Sequence, residues 1–455
     1  MMRELSKLTI LEILQEWNYW NREFETYVQR PAYSSILERY RRSDEIIVLT
    51  GIRRSGKSTL LKQEMEHLAK SRDKKELLYI NFEDPRLSED ADPDTLDLLL
   101  ETYREAINPD GEVFLFLDEV QYVDRWEKWV RTAHDLKRAT IYITGSSSKL
   151  LSGEVASSIS GRYLQVTVYP LRFLEFLSFN DLEYRNIADY SAKRREIHQL
   201  FSDYLRYGGF PKVVLVDEDL KKEEILSYFN TILLHDILAR YGLRNYDMLK
   251  KLVEYILTND TKQNSVHSIS KALGYNYATV SDYIAYLKAT YMIAEFRNYD
   301  YSLKKQLRSD VKYYCIDTGF VNAVSFLFSE NIGRLYENIV YNEFIRRGQG
   351  TGLFYLNEGG KGGVECDFIT QEMGRITAAY QVCYELHDRN MNREVAGIVM
   401  ACKKFGLPGG TIITEHQQKT IEVDGLRIEV VPIPAFLVGY GPTTPPKERG
   451  LQYRL

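Results

Sequence analysis

Cysteine is scarce in this chain: Cys315, Cys366, Cys383 and Cys402 are the only four among 455 residues. They are scattered, and no two form a C-x-x-C pair. That argues against a zinc ligand set or a disulfide framework and fits a reducing cytoplasm. Long apolar runs are missing as well. No stretch approaches the ~20 residues of a membrane span, and the charged, helix-patterned N-terminus is not that of a signal peptide. The expectation is a cytoplasmic protein with no membrane partner. Nor is there a surplus of positive charge: 59 Lys and Arg stand against 64 Asp and Glu, for a net charge of -5 and a pI near 6.0. Such a molecule does not coat nucleic acid as a polycation, although a local basic face is compatible with it. Apolar mass is plentiful. With 44% hydrophobic residues, a chain of this length is globular and suggests two to four domains.

The most informative stretch runs from Ile46 to Leu61. An apolar β-branched strand meets Gly51-Ile52-Arg53-Arg54-Ser55-Gly56-Lys57-Ser58-Thr59 and then a helix. The spacing G-x-x-x-x-G-K-S is that of a phosphate-binding loop. Gly51 and Gly56 let the backbone bend so that successive N–H groups point inward as an anion nest. The helix N-terminus adds its positive end. Lys57 is placed to reach the β- and γ-phosphates of ATP, and the Ser58 hydroxyl to ligate Mg²⁺.

A second segment supports the first. Val113 to Leu117 is an unbroken apolar run closed by Asp118 and Glu119, as expected of a central parallel strand buried on both faces. Asp118 stands where an open α/β sheet places ligands, so it is the candidate for the Mg²⁺ shell. Glu119 is the candidate base toward the attacking water. Strand patterns recur at Glu45–Thr50, Leu77–Phe82, Val113–Asp118, Thr140–Thr144 and Tyr163–Val168, with helical stretches between. The fold class expected is therefore α/β with a parallel sheet. Ser146, at the end of the fourth strand, is a candidate γ-phosphate sensor; a turn-forming serine is the alternative. Arg162 precedes the fifth strand. It is a candidate arginine finger acting on the nucleotide of an adjacent subunit, which would make the protein a homo-oligomer.

The pattern then changes. Residues 170–240 are helical around Tyr207-Gly208-Gly209-Phe210-Pro211 and read as a lid. Ser265–Gly274 and Tyr277–Leu287 give a helix, turn and helix. Strands at Met292–Arg297 and Lys312–Ile316 flank the basic stretch Lys304, Lys305 and Arg308. This order describes a winged helix, with those three cations as candidate DNA contacts. Farther on, Glu337 lies on a helix, and Asp367 and Gln381 lie at adjacent strand ends. Such a trio suggests the core of a metal-dependent nuclease, a second Mg²⁺ site. Its customary lysine position holds Cys383, so the expectation is a site without its cation, with Lys361 as a speculative substitute.

At these residues the chain resembles AAA-type ATPases of a prokaryotic, largely archaeal group with an appended C-terminal domain of restriction-endonuclease-like fold. The matching pieces are Gly51–Ser58, Leu117-Asp118-Glu119-Val120-Gln121, Thr144-Gly145-Ser146-Ser147, Gly161-Arg162, Tyr207–Pro211 and the Glu337/Asp367/Gln381 trio. The resemblance implies an ATP-binding core, a lid, a winged helix and a nuclease-like module. The bounds expected are 1–43 for an N-terminal helical segment, 44–170 for the ATPase core and 171–244 for the lid. The winged helix would take 245–325, the nuclease-like domain 326–440 and a tail 441–455. Three functions follow. The first is an ATP-hydrolysing switch or motor acting on DNA or a protein partner. The second is an ATP-controlled nuclease, and the third a regulator that binds nucleotide without hydrolysis. Glu119 and Arg162 favour the first.

Overall fold

The computed structural model describes residues 5–88, 91–151, 158–325, 332–360 and 362–439. Lys361 and the tail 441–455 lie outside them. The chain divides into two compact units, Met1–Val168 and Tyr169–Leu455.

The first unit is built on five strands: β1 (Ile46–Thr50), β2 (Leu77–Asn81), β3 (Phe114–Asp118), β4 (Thr140–Gly145) and β5 (Tyr163–Thr167). All pair in parallel, in the order β2-β3-β4-β1-β5. β1 and β3 are buried along their whole length, which is why their sequences are continuously apolar rather than alternating. Because β4 lies between β1 and β3, the chain leaves these three strands at one sheet edge, side by side. The N-terminal segment packs on the same unit. Its helix Lys7–Trp17 ends at Asn18, so Tyr19 and Trp20, inside the 1–43 segment expected to be helical, lie outside any helix. Asn18 bridges to the β2 backbone, its amide donating to the Tyr79 carbonyl at 2.9 Å and its carbonyl accepting from the Tyr79 N–H at 2.7 Å. The Trp20 indole donates to the Leu77 carbonyl.

The second unit opens with helices from Phe173 to Thr231, continued by the wide-turn helix Ile232–Ala239. The Gly208–Gly209 break has a steric cause. Gly208 holds φ +75°, and a Cβ there would fall 1.6 Å from the Asp317 carboxylate. Helices Tyr246–Thr258, Val266–Leu273 and Tyr277–Ala289 follow, with a three-stranded antiparallel sheet of order β6 (Gln263–Asn264), β8 (Val311–Cys315), β7 (Ile293–Arg297). The basic stretch expected as an open wing is the short helix Leu303–Arg308. After helix Ile332–Arg346 comes a six-stranded mixed sheet: β9 (Leu353–Glu358), β10 (Val364–Glu372), β11 (Arg375–Val382), β12 (Gly409–Thr414), β13 (Lys419–Val423) and β14 (Leu426–Pro432). Its order is β13-β14-β12-β11-β10-β9, with helix Asp388–Phe405 packed on it. The two sheets of this unit share one aromatic core. Phe296 lies against Tyr314, Tyr341, Tyr355 and Phe368, and the Tyr299 N–H donates to the Tyr355 carbonyl at 2.8 Å.

Candidate functional site

The loop after β1 is shaped by its glycines. Gly51 has φ +141°, and a Cβ would meet the Val168 carbonyl oxygen at 2.1 Å. Gly56 takes φ +98° and leads directly into helix Lys57–Leu68, with no side chain capping its first turn. The first-turn N–H groups therefore face the loop, where an anion would be held by backbone donors and the helix dipole. Lys57 is buried; its ammonium donates to the carbonyls of Gly51 and Ile52, both at 3.2 Å. Arg53 reaches outward to Glu83 at 2.5 Å, and Arg54 is exposed at φ +68°. Ser55 is buried, and Ser58 and Thr59 occupy the first helical turn.

Asp118 closes β3 in full burial. The hydroxyls of Tyr79 (2.5 Å) and Thr144 donate to it, and it also hydrogen-bonds Ser58. Burial, and then the charge of Glu119, push the Asp118 carboxyl above its ordinary range. The two residues expected to share a Mg²⁺ thus meet directly. Glu119 sits at φ +54°, a left-handed turn that directs its carboxylate to 3.7 Å from the Lys57 ammonium. The Gln121 amide donates to that carboxylate. Ser146 is buried and lies 3.5 Å from the same amide. The closer β4 hydroxyl is Thr144, which touches Asp118 and accepts from the Glu119 N–H at 2.9 Å. From sequence Thr144 stands in the Thr144–Ser147 motif with no role of its own, although its place at the end of an apolar strand was a usable signal.

Arg162 lies elsewhere. β5 pairs with β1 from Ile46↔Tyr163 to Thr50↔Thr167, so Arg162 stands at the opposite end of the sheet from Gly51. Five residues of strand separate the two ends by roughly 16 Å. Arg162 pairs with Asp135 at 2.8 Å. Arg30 was missed altogether. Neither motif hints at it, yet its guanidinium is buried and donates to the Ser55 carbonyl at 3.0 Å, bracing the phosphate loop from the N-terminal segment.

The second constellation lies in the second unit, in a cleft of about 810 Å³ lined by Glu337, Glu365, Asp367, Gln381 and Glu394, with Arg393 at its edge. Phe368 pairs with Tyr380 across β10 and β11, which sets Asp367 beside Gln381. The Asp367 N–H donates to the Gln381 side-chain Oε1 at 3.2 Å, the Gln381 side-chain amide nitrogen donates to Glu394 at 3.0 Å, and the Val382 N–H to the Asp367 carboxylate at 2.8 Å. The expectation of a missing cation is corrected here. Lys312, on β8, enters the cluster at 2.8 Å from Glu337, 2.7 Å from Glu365 and 3.9 Å from Asp367. Sequence order hid it, because the lysine comes from another sheet. Cys383 is buried, and burial pushes its thiol up to about 12, so it stays neutral. Among the described residues, no group of three or more His, Cys, Asp or Glu side chains is arranged to hold a metal ion. Lys304, Lys305 and Arg308 are exposed on their short helix, with Lys305 3.9 Å from Asp300.

Comparison with known proteins places this geometry. Residues 43–177 match the AAA domain family, and residues 198–331 match DUF8612, a domain of unknown function. The uncharacterized protein MJ1544 of Methanocaldococcus jannaschii is 35% identical over 403 residues, covering 86% of this chain and 87% of its own. An uncharacterized protein of Haemophilus influenzae is 29% identical, covering 88% and 96%. Among solved structures, C. elegans PCH-2 aligns over 56% of this chain and 67% of its own at 13% identity, with a TM-score of 0.24. A DNA polymerase III gamma subunit-related protein from Thermotoga maritima aligns over 56% and 99% at 13% identity, with a TM-score of 0.26. Superpositions that loose carry no argument about function. No described helix is long and apolar enough to cross a membrane. The phosphate-loop sheet is that of an AAA domain, and the chain belongs to the family of MJ1544.

Proposed function

We propose that the protein is an ATP-hydrolysing AAA-type ATPase that works as a switch or motor on DNA or a protein partner. One observation carries the reading: Ser58 and Asp118 touch, and Glu119 projects to 3.7 Å from Lys57 at the mouth of the same loop. Ser58 and Asp118 would hold Mg²⁺, which neutralises charge on the phosphates when bound. Lys57 and the first-turn N–H groups of helix Lys57–Leu68 hold and orient the phosphates. Glu119, oriented by the Gln121 amide, takes the proton from the attacking water. A regulator that only binds nucleotide has no use for a carboxylate held in a left-handed turn at that point.

The helices and three-stranded sheet of residues 245–325 support the winged-helix reading, and the exposed Lys304, Lys305 and Arg308 support a DNA-facing surface on it. Arg162 is unable to reach the nucleotide of its own chain, and a finger role in an adjacent subunit is the one its position supports. Residues 171–244 act as the lid and 326–440 as the nuclease-like module in this reading. The test is ATP turnover by the purified protein, with and without duplex and single-stranded DNA. Mg²⁺-dependent turnover supports the proposal, and DNA stimulation identifies the partner class. Tight ATP binding with no turnover under any of these conditions would return the regulator reading to first place.

A further inference from the structure

The C-terminal cleft holds three clustered carboxylates together with a cation of its own. Lys312 is 3% exposed, and its ammonium lies among Glu337, Glu365 and Asp367 at 2.8, 2.7 and 3.9 Å. The Tyr355 ring centroid is 5.4 Å away. Three N–H donors thus face two carboxylates at contact distance, a third nearby and an aromatic ring. Around them further protein donors reach the same carboxylates. Tyr314, also on β8, donates to Glu337 at 2.6 Å; Gln263 on β6 and Asn357 on β9 donate to Glu365 at 2.5 and 3.2 Å; the Val382 N–H donates to Asp367. A lysine that assists at a phosphate must be able to turn toward it. This one is enclosed and already committed.

We propose that Lys312 takes the place of the metal ion at this site, so that the carboxylate cluster serves as a socket for β8 and not as a divalent-cation centre. The inference is independent of the ATPase reading. Gathering three carboxylates this closely, Asp367 buried and Glu337 and Glu365 half-buried, without a counter-charge is very unfavourable, and either a lysine or a divalent ion satisfies the same cluster. Lys312 arrives from the three-stranded sheet, Glu337 from helix Ile332–Arg346 and Asp367 from the six-stranded sheet. The ion cluster therefore joins three parts of one unit. Removing the lysine frees a hard, oxygen-only pocket of the kind that Mn²⁺ and Mg²⁺ enter.

The test uses the full chain without nucleotide, so that the phosphate loop contributes little metal affinity. Mn²⁺ binding is followed by electron paramagnetic resonance and stability by thermal melting, for the parent, Lys312→Ala, Asp367→Asn and the double variant. The parent and Asp367→Asn should give indistinguishable Mn²⁺ titrations. Lys312→Ala should melt roughly 6–20 °C lower, gain one Mn²⁺ site, and recover at least half of that loss in millimolar Mn²⁺. Adding Asp367→Asn should abolish both the site and the recovery. A Mn²⁺ site in the parent that Asp367→Asn removes would overturn the proposal, as would a Lys312→Ala protein that neither loses stability nor gains metal. If Lys312→Ala fails to fold, the parent and Asp367→Asn titrations decide alone. Identical curves support the socket, and an Asp367-dependent site refutes it.

Discussion

Three of the 34 tyrosines show one structural use of that residue. Tyr79 donates to Asp118, Tyr142 to Glu64 and Tyr314 to Glu337. Each ring fills apolar space while its hydroxyl adds a donor to a carboxylate that is withdrawn from water, beside the partners it already has: Thr144 for Asp118, Arg41 for Glu64 and Lys312 for Glu337. At the phosphate loop the decisive single residue is Lys57. Lys57→Ala should weaken ATP binding by roughly 30-fold or more, the effect of losing about 2 kcal/mol of a desolvated charge contact. Binding isotherms of the variant, with circular dichroism to confirm the fold, check this. Asp317 is a second residue with a measurable signature. Burial raises its carboxyl to about 6, even though the Gly209 and Gly319 N–H groups and the Arg346 charge oppose the rise. The folded state then binds more protons than the unfolded chain, whose ordinary carboxyl titrates near ~3.9. Stability from this group is present below pH ~4 and is lost as pH rises through about 6. Urea midpoints from pH 4 to 7 should fall for the parent relative to Asp317→Asn, and parallel profiles would reject the assignment.

Elements were legible where their cause is local. β1 and β3 are buried on both faces, so their apolar runs could be read directly, and the glycine loop announces itself because its backbone needs those residues. Strands β12–β14 and helix Asp388–Phe405 were not resolved from sequence, since the edge strand β13 is partly exposed and carries no apolar run. Arg30 and Lys312 were illegible for a different reason: each acts on an element far away in the chain, and no spacing rule connects them. The Tyr207–Pro211 break was visible as a break, but its purpose was not. Gly208 makes room for Asp317, and Gly209 for the Leu171 carbonyl. Gly208→Ala should therefore destabilise the second unit by about 2–4 kcal/mol, combining a left-handed backbone with a steric clash, and chemical denaturation measures it. The short helix Leu303–Arg308 gives the corresponding test of DNA contact. Changing Lys304, Lys305 and Arg308 together to Ala should make log affinity less steep against log salt by about 2–3 units and leave basal ATP turnover unchanged. Identical slopes would place any DNA surface elsewhere.

For the whole molecule, the position of Arg162 at the far end of the sheet turns a residue assignment into a statement about assembly. Arg162→Ala should leave ATP affinity nearly intact and slow hydrolysis, with a loss on the order of 10³–10⁵ where arginine fingers operate. Turnover per chain in the parent should rise with protein concentration, and a rate independent of concentration in a monomeric protein would exclude the trans role. The C-terminal carboxylates were legible as a set, while the cation among them was not, and the balance of charge in that cleft rests on a lysine that sequence order conceals. The central claim remains hydrolysis at the first unit, and Glu119→Gln tests it most directly. Removing the base while keeping Asp118, Ser58 and Lys57 should leave ATP affinity within a few-fold of the parent and lower turnover by roughly 10²–10⁴. Parallel binding and phosphate-release measurements on the two proteins read both quantities. Turnover by Glu119→Gln at the parental rate, with ATP bound equally well, would contradict the account.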